Sequence, residues 1–452
     1  MSRAFASVLL LFVMSGLLSA QDRPTIKSVE QLIEQLGDPD FKTRQAAAKA
    51  IEALGPEALP ALRKAKDHAD IEVRRRVEKW IPEFETAAFV APTRVTLDLT
   101  KQPLSKVVEE LTRQAGYKLV IPNREKRSNR AFTFRFDKKP FWEAFDQVCR
   151  EAGLALDQQE DPDNTLVMSS EWTVPDHMTY HGSFRLVASS LHYSKQTSLS
   201  RSIELGARLR NPPRDELAKG EQSDQTESLT FTFSIRVEPR LVVLGTGAPI
   251  LTEAIDDQNR SLALDNASDN SMPDRLIRHR FMRARWGSGN GEESSQVNLR
   301  PPAKDARMLK RIRGNIPVFL RKETKTLVVV ADMKTAEGKK YQQDGSSFEI
   351  EQFKARRGQF RLVLTITKDK PVRGDPEWDE EGSLELQDAK GNSYETYGRS
   401  SSGDGTSMDC EYTFGPPIGK GGPVGPPAKL VYVKTIPLTY YVPFDFKDLP
   451  LP

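Results

Sequence analysis

The sequence predicts a multidomain protein with a short α-helical segment, an α+β domain of two strand–helix–strand (split βαβ) units, and a mainly β, sandwich-like C-terminal region. Three observations predict this order. Apolar residues recur at helical three-to-four spacing between residues 28 and 84. The pattern of residues 95–119 recurs at 132–156, and from Ser183 onward apolar residues alternate with the period of two that is typical of strands.

Composition excludes several classes of protein. The 452 residues carry 66 Lys and Arg against 63 Asp and Glu, so the net charge of +3 excludes a polyanion binder that acts through bulk charge. A mean hydropathy of −0.53 excludes a multi-span membrane protein. Two cysteines exclude a disulfide-stapled scaffold and a cysteine-rich metal protein, and five histidines leave little material for metal chemistry.

The N-terminus has the layout of a secretory signal peptide over residues 1–20. Arg3 precedes an apolar run from Val8 to Met14, and the small residues Ser19 and Ala20 end the segment. The apolar stretch is shorter than the roughly 20 residues that a bilayer span needs. We therefore expect export, cleavage of the signal, and a mature chain without a membrane span, located in the periplasm or secreted. An uncleaved N-terminal anchor is the alternative.

Residues 27–86 show four helical segments separated by turn signals such as Gly37-Asp38-Pro39-Asp40 and Gly55-Pro56. The segment resembles HEAT repeats over about 60 residues, near one and a half to two repeats. The matching residues are Leu36 to Asp40, Arg44, Ala53-Leu54-Gly55, Ala58 to Leu62, Asp70, Val73 and Arg74. The resemblance implies stacked helices with ridges that bind other proteins. A helical cap packed on the next domain is the equal alternative, because repeat arrays normally need about three units.

The candidate contact residues of this segment are Phe41 and Arg44, on the exposed ridge of the second predicted helix. Arg44 has a second interpretation, in which it serves the repeat itself by pairing with Asp38 or Asp40. We assign both residues to a candidate protein-binding surface.

Residues 93–172 contain the clearest signal, the internal repeat with a shift of 37 residues. Each copy opens with an alternating strand, Val95 to Leu99 and Phe132 to Phe136. A proline then starts a helix, and an Ala-Gly pair ends it at Gly116 and at Gly153. A further strand follows each helix, so that the two units form one compact α+β domain.

This domain resembles the short N-terminal domain shared by secretins and TonB-dependent receptors. The matching features are the Val95 to Leu99 strand, Pro103-Leu104, the Ala115-Gly116-Tyr117 turn, and Phe132 with Phe134 in the second copy. The resemblance implies a periplasmic domain that contacts partner proteins or neighbouring subunits and has no catalytic role. A generic split βαβ core is the alternative.

Residues 178–452 are expected to form a β-sandwich of short strands. Alternation from Leu229 to Val237 predicts a strand with one buried face. Polar and Gly/Pro-rich sequence predicts mobile insertions near 256–295 and 414–428.

No residue set in the sequence predicts catalysis, a cofactor or a metal. Gly245 and Gly247 lack the third glycine of a phosphate loop, and His177 and His181 lack the partner residues of a zinc motif. Asp256, Asp257, Asp265 and Asp269 lack the spacing of a calcium loop.

Two further features leave alternatives open. An arginine-rich stretch at 275–286 suits a solvated edge or loop, with an anionic envelope polymer or lipid headgroups as the less favoured ligands. Cys149 and Cys410 are expected to be free, with a bridge between them as the alternative.

The function that the sequence favours is that of an exported, non-enzymatic protein-binding or scaffold protein of the cell envelope. Its partners would be other envelope or secreted proteins, and nucleic acid is not expected. The alternative is an exported hydrolase or carbohydrate-active protein with its site in the β-rich half, because sandwich folds host such sites.

Overall fold

The computed structural model describes residues 26–123, 130–157, 165–171, 174–198, 224–264, 292–343, 345–368, 382–403, 406–417 and 424–452. The signal peptide at 1–20 lies outside them. The chain divides into two compact units, residues 1–91 and 92–452. The first is helical, and the second is mainly β-sheet with a minority of helix, which confirms the predicted multidomain class with its β-rich C-terminal region. Among the described residues, no helix has the length and apolar character that crossing a bilayer requires.

From residue 26 onward, the first unit contains four α-helices, α1 (Ile26–Gln35), α2 (Phe41–Leu54), α3 (Leu59–Lys64) and α4 (Ile71–Phe89). They enclose one apolar core whose members recur at helical spacing. It includes Ile33, Leu36, Ile51, Leu62, Val73, Val77 and Trp80. Asp40 and Asp70 are the N-caps of α2 and α4.

The second unit begins with the α+β domain. Its elements are β1 (Arg94–Pro103), α5 (Leu104–Ala115), β2 (Leu119–Val120), β3 (Ala131–Pro140), α6 (Phe141–Ala152), β4 (Ala155–Leu156) and β5 (Leu166–Ser169). β1 pairs antiparallel with β3, while β5 pairs parallel with β2 and antiparallel with β4. Both helices and both sheets contribute to one apolar core.

The 37-residue repeat is visible in matching backbone contacts. The amide of Lys138 donates to Thr96 Oγ1 at 3.1 Å, and the amide of Lys101 donates to Thr133 Oγ1 at 3.1 Å. Lys101 and Lys138 also share a left-handed backbone, with φ of 51° and 46°. Exchanging the two copies converts one of these contacts into the other. The copies are therefore related by a pseudo-twofold axis between β1 and β3.

Fourteen strands follow in the described part of the chain. They are β6 (Met178–His181), β7 (Phe184–Ser198), β8 (Asp224–Val237), β9 (Val243–Thr246), β10 (Ile250–Asp256), β11 (Glu293–Leu299), β12 (Met308–Val330), β13 (Lys339–Gln343), β14 (Ser346–Arg356), β15 (Gln359–Lys368), β16 (Gly382–Asp388), β17 (Glu395–Gly403), β18 (Ser407–Gly415) and β19 (Pro427–Pro450). β11 and β19 begin inside the segments predicted as insertions near 256–295 and 414–428. Residues 265–291 and 418–423 of those segments lie outside the described residues.

These strands form two β-lobes that share the long strands β12 and β19. In lobe 1 the sheet β11-β8-β7-β6 packs on β10, β12 and β19, and the rings of Phe233 and Phe444 meet across the layers at 5.0 Å. In lobe 2 the sheet β13-β14-β15-β18-β17 packs on the other halves of β12 and β19 and on β16. There the rings of Phe348 and Tyr432 meet at 5.3 Å.

The two lobes share a common strand order, apart from β9 in lobe 1 and β17 in lobe 2, which have no counterpart. The meander β6-β7-β8 corresponds to β13-β14-β15, and β12 corresponds to β19. The strand pair β11·β8 corresponds to β18·β15, and the pair β10·β12 corresponds to β16·β19. The turns after β10 and β16 match in detail. Asp256 accepts from the amides two and four residues ahead at 2.9 and 2.8 Å, and Asp388 does the same at 2.8 and 2.9 Å. We conclude that the β-rich half is an internal duplication.

The long strands depart from the pattern read in the sequence. Alternation predicts separate strands at 318–320 and 327–331, and again at 429–435 and 438–442. The structure instead joins each pair into one strand, and residues 321–326 of β12 are exposed although they pair with β19. Since this two-stranded segment lies between the lobes and outside both cores, burial imposes no alternation on it.

Candidate protein-binding site

The starts of α2 and α4 have the same local structure thirty residues apart. Asp40 Oδ2 accepts from the amide of Thr43 at 3.0 Å, and Asp70 Oδ1 accepts from the amide of Glu72 at 2.7 Å. The hydrogen bonds from Thr43 lower the pKa of the Asp40 carboxyl, so this cap stays ionised at neutral pH. An ionised cap also suits the positive end of the helix dipole.

Arg44 holds the turn that precedes α2. Its Nη1 donates to the backbone carbonyls of Asp38 at 2.8 Å and of Pro39 at 3.0 Å. Arg74 makes the equivalent pair of bonds to the two residues before Asp70, at 2.5 and 2.9 Å. Arg44 therefore serves the turn, with carbonyl oxygens as acceptors in place of the carboxylates that the sequence suggested.

Phe41 and Ile71 occupy the same position in the two turns, as the first residue of α2 and of α4. Their exposed fractions are 63% and 58%, which is high for large apolar side chains. The guanidinium carbon of Arg44 lies 5.7 Å from the centroid of the Phe41 ring, a cation–π contact that orients the ring.

The two helix starts lie on one edge of the unit. A Cβ atom at Gly37, in the turn before α2, would lie 3.0 Å from Asp70 Oδ2 and 3.5 Å from Val73. The first turn is thus packed directly beside the cap of α4. We call this surface, with Phe41 and Ile71, the helix-start edge. Phe41 was predicted from the sequence and Ile71 was not, although the two turns share the Asp-apolar-x-x-Arg spacing that would have indicated it.

In the second unit, the buried carboxylate of Glu238 joins the α+β domain to the β-rich half. It accepts from the amide of Thr93 at 3.0 Å, from the Thr93 hydroxyl at 2.6 Å and from the Tyr117 hydroxyl at 2.7 Å. Burial raises the pKa of Tyr117, which therefore stays a neutral donor. All these donors belong to the protein, so we assign Glu238 a structural role.

A second buried contact joins the same parts. Asp146 of α6 accepts from Arg185 Nε of β7 at 2.7 Å and from the Tyr180 hydroxyl of β6 at 3.0 Å. Beside it, Trp142 Nε1 donates to the carbonyl of Ser183 at 3.1 Å. The outer face of α6 is thereby covered by β6 and β7, whereas the repeat predicted only its inner face as buried.

The other residues considered in the sequence do not form a site within the described chain. His177 and His181 lie at strand β6, and His181 Nε2 lies 2.9 Å from the Tyr440 hydroxyl. Cys149 and Cys410 form no disulfide bond and lie in different cores. No group of three or more His, Cys, Asp or Glu side chains among the described residues could hold a metal ion.

Asp265, Asp269 and the arginine-rich stretch at 275–286 lie outside the described residues. Gly247 is packed against the ring of Pro317, where a Cβ atom would lie 3.0 Å away. This glycine therefore permits a close contact within the sheet.

Comparison of the chain with protein-family models, with curated proteins and with solved structures found no match.

Proposed function

We propose that this is an exported, non-enzymatic protein-binding or scaffold protein of the cell envelope, with other envelope or secreted proteins as partners. Residues 27–86 are assigned as HEAT-type repeats and residues 93–172 as a domain of the secretin/TonB short N-terminal type. The charged-then-apolar start of the chain supports a periplasmic or secreted location.

The observation that carries the proposal is the exposure of Phe41 and Ile71 at equivalent positions of the helix-start edge. Moving a large apolar side chain from water into an interface lowers the free energy, and aromatic residues contribute much of the binding energy at many protein interfaces. Arg44 and the Asp caps fix the backbone beneath both side chains. Little ordering entropy would then oppose binding, as in other preorganised contact surfaces.

The second unit supports a scaffold role. Glu238 and the pair of Asp146 with Arg185 fix the α+β domain on lobe 1 through buried polar contacts. The outer face of α5 remains open: Lys106 and Glu109, at positions that match Glu143 and Asp146 of α6, pair only with each other in the salt bridges of the described residues. We assign to the second unit the role of a scaffold that carries binding surfaces.

Site-specific photocrosslinking in the producing cells tests the binding surface. A benzoylphenylalanine placed at position 41, or at position 71, is expected to capture the same envelope protein. The matched control is position 441, because Tyr441 is also an exposed apolar residue but belongs to the second unit. Capture from position 441 alone would refute the assignment to the helix-start edge.

Cell fractionation with N-terminal sequencing tests export. We expect the mature chain outside the cytoplasm, with residues 1–20 removed. A chain that fractionates with the cytosol and retains Met1 would contradict the proposed location.

A further inference from the structure

The hairpin between β14 and β15 ends in a tight turn with an uncommon residue. Arg357 and Gly358 have φ of 52° and 80°, and Arg356 pairs with Gln359 across them. Two successive residues with positive φ make a type I′ turn, whose first position favours Asn, Asp or Gly. An arginine there is conformationally disfavoured, which suggests that its side chain has a use.

The turn carries a cluster of exposed cations. Lys354, Arg356 and Arg357 are all exposed, and within the part of the chain that the structure describes none of them makes an ion pair. Arg361, further along β15, is different because Glu411 holds it at 2.5 and 2.8 Å. Three unpaired positive charges therefore lie within four residues of one protruding turn.

Aromatic side chains accompany these cations. The rings of Phe353 and Phe360 stack at 5.8 Å next to the turn. Phe360 pairs with Phe414, which pairs with Thr396 of β17, so Tyr397 lies about two strand spacings, or roughly 10 Å, from Phe360. Tyr397 is 39% exposed.

The remaining charges near the turn do not cancel this cluster. Glu337 accepts from the amide of Phe353, Asp388 is buried in its own turn, and Glu395 opens β17. Within the described chain none of these carboxylates forms an ion pair with Lys354, Arg356 or Arg357, so the turn keeps its three cations although the whole chain is nearly neutral.

We propose that this turn, with Lys354, Arg356 and Arg357, docks lobe 2 on a bilayer surface that contains anionic phospholipid. Basic side chains with an exposed tyrosine are the composition expected at a membrane interface. A polyanionic strand would call for cations along a groove and for aromatic faces open to stacking. Here the cations sit on one tip, and Phe353 and Phe360 stack on each other. The inference is independent of the function proposed for the helix-start edge.

Vesicle flotation of the full mature chain tests the proposal. We expect binding to vesicles of phosphatidylcholine and phosphatidylglycerol, none to phosphatidylcholine alone, and loss of binding at high salt. Each cation near an anionic surface contributes about fivefold in affinity, so the variant K354Q/R356Q/R357N is expected to bind about 100-fold more weakly. Asn suits the positive φ at position 357, so the variant retains its turn, which its melting temperature checks.

The matched control is K325Q/K339Q/K340Q, which removes three exposed cations elsewhere in β12 and β13. We expect its affinity for the anionic vesicles to fall by less than about threefold. Equal losses in the two variants, or no binding of the native chain to anionic vesicles, would overturn the proposal. So would tip-dependent binding to a single-stranded oligonucleotide at higher affinity than to the vesicles, because the partner would then be a polymer.

Discussion

Replacing Asp146 by alanine tests whether the α+β domain and lobe 1 form one packed body. The side chains of Asp146 and Arg185 are only 3% and 4% exposed, and their atoms meet at 2.7 Å. Without the carboxylate, the Arg185 guanidinium remains buried without its counter-charge. Loss of one partner from a buried pair costs about 3–5 kcal/mol, and we expect D146A to lower the free energy of unfolding of the second unit by that amount.

The internal repeat supplies a matched control. Glu109 occupies the position in α5 that Asp146 occupies in α6, but its side chain is 68% exposed and pairs with Lys106 on the surface. E109A is therefore expected to cost less than about 0.5 kcal/mol. The double variant D146L/R185M, which leaves no charge unpaired, is expected to recover most of the loss.

Urea unfolding of the full chain, followed by circular dichroism of the β-sheet, measures these differences. A loss below about 1 kcal/mol for D146A, equal to that of E109A, would show that α6 does not pack on β7 as described.

Three further predictions concern single side chains. Burial lowers the pKa of His181 below its usual 6.5. Because the unfolded chain then binds more protons than the folded chain, stability is expected to fall as the pH drops below about 6.5. H181N is expected to make the urea midpoint depend less on pH in this range. Hydrogen bonds from the Asn392 side chain and the Gly425 amide lower the pKa of Asp388 below 3.8. The melting temperature of the native chain is therefore expected to fall as the pH drops below about 3.8, and that of D388N is expected to fall less. R44A removes two charged hydrogen bonds from the turn before α2. It is expected to lower the free energy of opening of the α2 amides, measured by hydrogen exchange, by about 1–2 kcal/mol. R75A, at an exposed position, is expected to leave that free energy unchanged.

The apolar pattern of the sequence and the elements of the α+β domain are related through burial. The alternating Phe132, Phe134 and Phe136 face one core, and the glycines at 116 and 153 end helices in the left-handed conformation. Burial of the outer face of α6 could not be predicted, since its partner Arg185 lies on a strand with no sequence signal for contact with Asp146.

The duplication of the two β-lobes was also hidden in the sequence. Its trace is short, namely the aspartates that open the two matching turns. β-strands tolerate wide exchange of apolar residues, so strand order persists where sequence similarity does not. Only the pairing of β10 with β12 and of β16 with β19 makes the correspondence plain.

The candidate site was predicted in part. Phe41 was predicted as an exposed ridge residue of the HEAT-like segment, although its spacing continues the stripe of the second helix, and its side chain is 63% exposed. Ile71 follows an Asp cap in the same way, but an isoleucine at the start of an apolar helix resembles a core residue until its 58% exposure is seen. The role of Arg44 depends on backbone carbonyls, which sequence spacing does not display.

The affinity of the photocrosslinked partner for the variant F41S/I71S tests the central claim most directly. Both side chains are largely exposed, so the variant is expected to fold normally and to bind about 30- to 1000-fold more weakly, because two apolar contacts worth about 1–2 kcal/mol each are lost. The control M308S/Y441S removes two exposed apolar side chains of the second unit and is expected to bind as the native chain does. Native affinity in F41S/I71S, or an equal loss in the control, would contradict the account.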